Sequence, residues 1–189
     1  MFKCEKCNFE LEENAKFCTN CGEKVSEETT EFVNNKKYEG LGGWLILVGI
    51  GVVISPFRLL AELSKVYLPM FNDGTWEALT TPTSESYNSS FSSLLAVEMF
   101  FNSLMILASL YLIYLFFTKK SFFPKLYIWI LVFSLIFIPL DAILVSSIFP
   151  NIEVFDGETI KEIGRTVLVS LVWIPYMLIS KRVKATFVN

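Results

Sequence analysis

Four cysteines are the residues whose type and spacing can do chemistry here. Cys4, Cys7, Cys18 and Cys21 all lie in the stretch KCEKCNFELEENAKFCTNCGEK, and the chain has no others. Each C-x2-C pair can form a tight knuckle with both sulfurs aimed at one centre. Two pairs separated by ten residues then supply four thiolates for one tetrahedral Zn(II), at about 2.3 Å per bond. The intervening residues suit a hairpin or two short strands folding back, with Asn14-Ala15-Lys16 as the turn. Gly22, directly after Cys21, supplies the backbone freedom that knuckle turns use.

Four thiolates close the coordination shell and leave no position for water or substrate, so the expected role is structural. A head of about two dozen residues cannot build a stable core unaided, so the ion is its expected main source of stability. No thioredoxin-like βαβ pattern surrounds the pairs, which argues against redox work. Lys3, Lys6, Lys16 and Lys24 face Glu5, Glu10, Glu12, Glu13 and Glu23, so no nucleic-acid partner is expected. Phe2, Phe9, Leu11 and Phe17 are read mostly as the mini-core of the head. A docking surface for a cytosolic protein is the alternative use for them.

The head must be held by something, and the rest of the chain is apolar. Of 189 residues, 53% are hydrophobic and 15% aromatic, and there is no histidine; mean hydropathy is +0.50. One soluble core cannot hide that much apolar surface. Residues 1–40 are polar, and the apolar runs begin at Leu41. Four stretches reach the roughly 20 apolar residues that a helix needs to cross a bilayer: about 42–60, 93–117, 126–149 and 163–180. The expected fold is therefore an all-α membrane protein, a four-helix transmembrane bundle with a small N-terminal Cys4 head. Its parts are the head at 1–24, a flexible tether at 25–40 and the membrane domain at 41–189. The lipid bilayer is its first partner.

Flanking charge orients the spans. Lys36 and Lys37 precede the first, Lys119, Lys120 and Lys125 fill the second connection, and Lys181, Arg182 and Lys184 follow the fourth. The other connections carry Glu62, Asp73, Glu77, Glu85, Glu153, Asp156, Glu158 and Glu162 against Lys65 and Lys161. Lysine and arginine mark the cytoplasmic side, which places both termini there. No secretory signal is expected, because the charged cysteine segment follows Met1 at once. Reduced thiols in a cytosol favour metal over disulfides. The outer connection at 61–92 is expected to be a long loop, with AELSKVYLPMF lying on the membrane surface as a short helix. Gly51 with Ser55, and Ala142 with Ser146, are small pairs that permit close helix approach.

Ionisable residues inside spans point to function by default. Arg58, Asp141 and Arg165 each sit about 22–24 Å outward from the inner basic flank, at a rise of 1.5 Å per residue. Glu98 lies farther out, with Asn102 one turn below it. These residues are expected to meet in one neutral outer-leaflet cluster, acting either as a structural ion-pair network or as a ligand or ion path. Arg58 could instead pair with Glu62, one turn on. Pro56 and Pro139 each stand two residues before a charge and free the carbonyls of Val52 and Leu135, which neighbours or water must satisfy.

Residues 4–22, with CEKC and FCTNCG, resemble the short zinc-ribbon domain at the N-termini of many bacterial membrane proteins. From about residue 40 the chain resembles the bacterial domain of unknown function 2569, through GLGGWLILVGIG with Pro56, FFTKKSFFPKLY and WIPYMLISKRVKATF. The resemblance implies a multi-pass protein of the bacterial inner membrane and supplies no catalytic residues. No nucleophile–base pair can be named, so the chain is not expected to be an enzyme. The first functional reading is an interaction or regulatory module with a structural zinc ribbon. The alternative is a small transporter or channel subunit using the Arg/Asp/Glu cluster, for which several copies would have to assemble as a homo-oligomer.

Overall fold

A computed structural model describes residues 2–4, 6–12, 15–25, 38–151 and 154–189. The tether expected at 25–40, with Lys36 and Lys37, falls almost wholly outside the described residues, as do Glu5, Glu13, Asn14 and Glu153.

In the head, β1 (Phe2–Lys3) and β2 (Glu10–Leu11) pair antiparallel, with Phe2 opposite Leu11 and Lys3 opposite Glu10. A single antiparallel bridge joins Phe17 to Lys24. The strands therefore flank each knuckle instead of filling the segment between the two, which was their expected place. The reason is local: a C-x2-C turn reverses the chain, so the residues on either side of it are already antiparallel neighbours.

Among the described residues six helices follow: α1 (Trp44–Asn72), α2 (Thr75–Thr80), α3 (Ser89–Phe117), α4 (Phe123–Ile148), α5 (Gly157–Ile179) and α6 (Lys181–Thr186). Of these, α1, α3, α4 and α5 are long and apolar enough to cross a membrane, with mean hydropathies of 2.1, 2.0, 2.6 and 1.4. They form an up-and-down bundle in which α1 packs on α3, α3 on α4 and α4 on α5. The rings of Trp44 and Trp173, 6.3 Å apart, bring α5 back to α1. Large apolar side chains such as Phe57, Leu107, Trp129 and Leu171 point outward, as a lipid solvent requires.

The first helix is longer than expected. Residues 61–72 continue α1 instead of forming a separate surface helix, and α2 occupies part of the connection that reads as a loop. Pro56 does not break α1, because the carbonyl it frees at Val52 accepts a hydrogen bond from Ser55 Oγ at 2.9 Å. Sequence-coded caps set the other ends. Asn88 Oδ1 accepts from the amides of Ser90 and Phe91 at 3.0 and 3.1 Å and starts α3. Asp156 Oδ1 accepts from the Thr159 amide at 2.8 Å and starts α5. Such caps satisfy amides that have no partner within the helix.

The main core sits at one end of the bundle, where Leu45, Val48 and Val52 of α1 meet Leu112, Leu115 and Phe116 of α3, Phe123 of α4 and Met177 of α5. The last residues close it. Val183 and Phe187 are buried there, and the Phe187 ring stacks on Phe123 at 4.5 Å. The backbone of Asn189 bonds to Ser121 and Lys119, and the Thr186 hydroxyl bonds to the backbone of Gly40. Lys119, Lys120, Lys181 and Arg182 thus share one end of the molecule.

Candidate metal centre and intramembrane charges

The two cysteine knuckles are built alike. The Cys4 amide donates to Phe9 O at 2.9 Å and the Asn8 amide to Cys4 O at 2.8 Å; in the second knuckle Cys18 donates to Glu23 O and Gly22 to Cys18 O, both at 2.8 Å. Asn8 (φ 60°) and Gly22 (φ 70°) stand at equivalent positions, both left-handed. Asparagine and glycine are the residues that tolerate this region. Asn8 therefore does for the first knuckle what Gly22 does for the second.

The knuckles bring all four sulfurs within 4.8 Å of one another. Cys4 Sγ lies 3.7 Å from Cys21 Sγ, and Cys7 Sγ lies 3.6 Å from Cys18 Sγ. Tetrahedral bonds of 2.3 Å imply sulfur–sulfur edges of about 3.8 Å, so the four thiols could hold one metal ion. Their acidities diverge. The Phe9 backbone N–H draws the Cys7 thiol down to about 6. Cys21 is pushed up to about 12: the Glu23 amide pulls it the other way, but desolvation and the other sulfurs prevail. Four thiols this close resist becoming four anions unless a cation neutralises them.

Cys4, Leu11 and Cys18 are buried, with Cys7, Ala15 and Val25 packed against them. Phe9 and Phe17 are not part of this mini-core; they are 46% and 57% exposed. Two tight turns leave so little interior that Leu11 and the cysteines fill its centre, with Ala15 and Val25 at the edge. Lys6 and Glu23 pair across the knuckles at 2.5 Å.

The intramembrane charges divide between two helix pairs. Arg58 Nη2 of α1 lies 3.3 Å from Glu162 Oε1 of α5, with Arg165 of α5 and Glu62 of α1 in the same electrostatic neighbourhood. Glu98 of α3 and Asp141 of α4 face each other's field instead and line one cavity. Among the described residues no ion pair joins Arg58 or Arg165 to either of them. One neutral four-charge cluster is therefore not what these helices make. Arg58 reaches across to α5, while Glu98 and Asp141 turn into the cleft between α3 and α4. Asn102 is half-buried below Glu98. Behind both stands Tyr67 of α1, 8% exposed. Its hydroxyl faces Glu98 and Asn102.

Residues 38–188 match the family described as protein of unknown function (DUF2569). The chain belongs to that family. No curated protein and no solved structure matches it. DUF2569 is a multi-pass membrane family of unknown function. The matched region contains every intramembrane charge and none of the cysteines, so the head is an addition to the DUF2569 part of the chain.

Two residues of the DUF2569 region were not singled out as site residues by sequence reasoning. Tyr67 lies in the stretch expected as a surface segment, although it falls about three turns past Pro56, on the face that buries Leu45, Val48 and Val52. Glu162 was counted among the outer flanking charges; its position one turn before Arg165 was the available signal.

Proposed function

We propose that this chain is a membrane-embedded interaction or regulatory module whose head binds one structural Zn(II). The reading rests on one observation, the near-tetrahedral separations of 3.6 and 3.7 Å within a four-sulfur group. Cys4, Cys7, Cys18 and Cys21 would be the ligands. A zinc ion there neutralises four thiolates and fixes both knuckles, and a full set of four protein ligands is the mark of a structural site. Binding, not catalysis, is then the head's use. Exposed Phe9 and Phe17 beside the knuckles would be the residues available to a cytosolic protein partner.

The same proposal places the protein in the bacterial inner membrane with both termini in the cytoplasm. Lys119, Lys120, Lys125, Lys181, Arg182 and Lys184 gather where α3 ends, α4 begins and α5 ends, as the charge rule asks of the cytoplasmic side. A transport path built on one shared Arg/Asp/Glu cluster has less support, because the charges are split between two helix pairs.

The test has three parts. Metal analysis of purified full-length protein should find one zinc per chain, lost in Cys18→Ser. Reporters fused to the two ends should both respond as cytoplasmic. Crosslinking in native membranes should recover a partner with wild type but not with Cys18→Ser or with Phe9→Ser/Phe17→Ser. Metal-free protein with paired cysteines, or reporters in opposite compartments, would overturn the reading.

A further inference from the structure

We propose that the basic rim of the bundle, at the end that holds the main core, binds the headgroups of acidic phospholipids. Lys119, Lys120, Lys125, Lys181, Arg182 and Lys184 gather there, within a few residues of where α3, α4 and α5 end or begin. Glu39 is the one acidic side chain in residues 38–44, 117–126 and 177–189. Among the described residues none of the six cations has an acidic partner. Trp44, the first residue of α1, is 62% exposed at the same end and meets Trp173, on which Tyr176 packs at 5.7 Å. Such rings sit at headgroup depth, so the rim lies where phosphates are, and each cation there adds to the attraction for acidic lipid.

Topology asks only that these charges lie in the cytoplasmic connections. The fold goes further, bringing two separate segments together and pinning them. The Asn189 backbone accepts from the Ser121 amide at 2.7 Å and donates to Lys119 O at 3.4 Å, while the Thr186 hydroxyl bonds to the Gly40 backbone at 3.1 Å. With Val183 and Phe187 buried, Lys181 and Lys184 are held on the outside. Arg182 lies on Gly42 and Gly43, so close that a Cβ at Gly42 would stand 3.1 Å from Nη1. Like charges held together repel, and an anion removes that cost. A zwitterionic head brings its own cation and removes less of it. Lys119 supplies a sign independent of charge. Its φ of 55° is left-handed, just past the α3 C-cap Thr118, and the Lys120 amide closes the turn on Leu115 O at 3.0 Å. Glycine is the usual residue at that position. A lysine there bears a backbone cost that glycine avoids, and what it adds is a cation on the rim.

The experiment places full-length protein in phosphatidylcholine discs doped with a nitroxide-labelled phospholipid and measures, by electron spin resonance, the fraction held at the protein. In wild type, association of labelled phosphatidylglycerol should exceed that of labelled phosphatidylcholine at least about threefold at low salt. The ratio should fall toward one in about 1 M salt, where screening acts within about 3 Å. Lys181→Gln/Arg182→Gln/Lys184→Gln should lose most of the preference. Lys119→Gly should lower it about twofold while the melting temperature holds or rises, a split that a merely structural lysine would not give. Equal association of the two lipids with wild type, or an undiminished preference in the folded variants, overturns the proposal. If the triple variant does not fold, Lys119→Gly and the salt series decide, and a preference unmoved by both overturns it. A preference seen only in Cys18→Ser would assign the rim to the chain's own acidic head, and overturns it too. The proposal deepens the reading of this end as the cytoplasmic one. Discs present both faces, so reporters in opposite compartments would sink that reading without moving the lipid preference.

Discussion

A methyl group added at Gly49 would stand 2.8 Å from the ring of Phe116, closer than packed carbon atoms approach. Gly49 of α1 lies against the Phe116 ring of α3, and that ring cannot swing away, because Phe123 and Phe187 pack on it at 5.1 and 5.9 Å. Gly49→Ala should therefore destabilise the bundle by about 1–3 kcal/mol. Gly51 meets nothing within 4 Å, so Gly51→Ala should be neutral or slightly stabilising through helix propensity. Thermal melts of the two variants in one detergent check the contrast. Gly51 and Ser55 were the expected close-approach pair; Gly49 has that role.

The C-terminal tail should be worth far more than its charges. Phe187→Ala removes a ring that is 5% exposed and stacked on Phe123, and is expected to cost about 3–5 kcal/mol. Replacing Lys181 and Lys184 by glutamine should leave the melting temperature nearly unchanged while weakening the topology signal. Melting curves and end-reporter assays separate the two effects.

Arg58 and Glu162 should be coupled, but modestly. The pair is 3.3 Å apart with side chains 35% and 49% exposed, so the interaction is partly screened. A double-mutant cycle with Arg58→Gln and Glu162→Gln should yield a coupling of about 0.3–1 kcal/mol. A cycle of Arg58→Gln with Asp141→Asn should be additive, because no ion pair joins these residues. A large coupling in the second cycle would restore the single four-charge cluster.

Acid should loosen the start of α5. The Thr159 amide holds the Asp156 carboxyl below the usual carboxylate range. A group depressed on folding contributes stability that is fully present above its unfolded pKa and is lost as pH falls through the folded value. Wild type should therefore lose melting temperature as pH drops below about 4. Asp156→Asn, which can still cap, should lose less over that range. Parallel slopes would show that the charge on Asp156 does not matter.

Much of the architecture was legible because it depends on local quantities. Hydropathy over about 20 residues finds a span wherever its neighbours lie; all four long helices cover the apolar runs, most ends within a few residues of them, with α1 running on past Leu60 to Asn72. The helix extension past Leu60 was hidden because LSKVYLPMF mixes lysine and proline with apolar residues, and a surface segment and a protruding helix look alike on that pattern. Asn88 caps α3 with its side-chain oxygen, a contact that the apolar run at 93–117 does not reveal.

Spacing alone specifies that Cys4, Cys7, Cys18 and Cys21 can converge, and composition alone that the chain must bury itself in lipid, because turns and hydropathy act over a few residues. Which charges face one another was decided by the tertiary structure. So were the burial of Tyr67 beside Glu98, the exposure of Phe9 and Phe17, and the use of SKRVKATF as a packed lid. Each depends on how far a helix is rotated about its axis and which helix stands next to it. A single chain's residue order carries that information only through the sum of all its contacts.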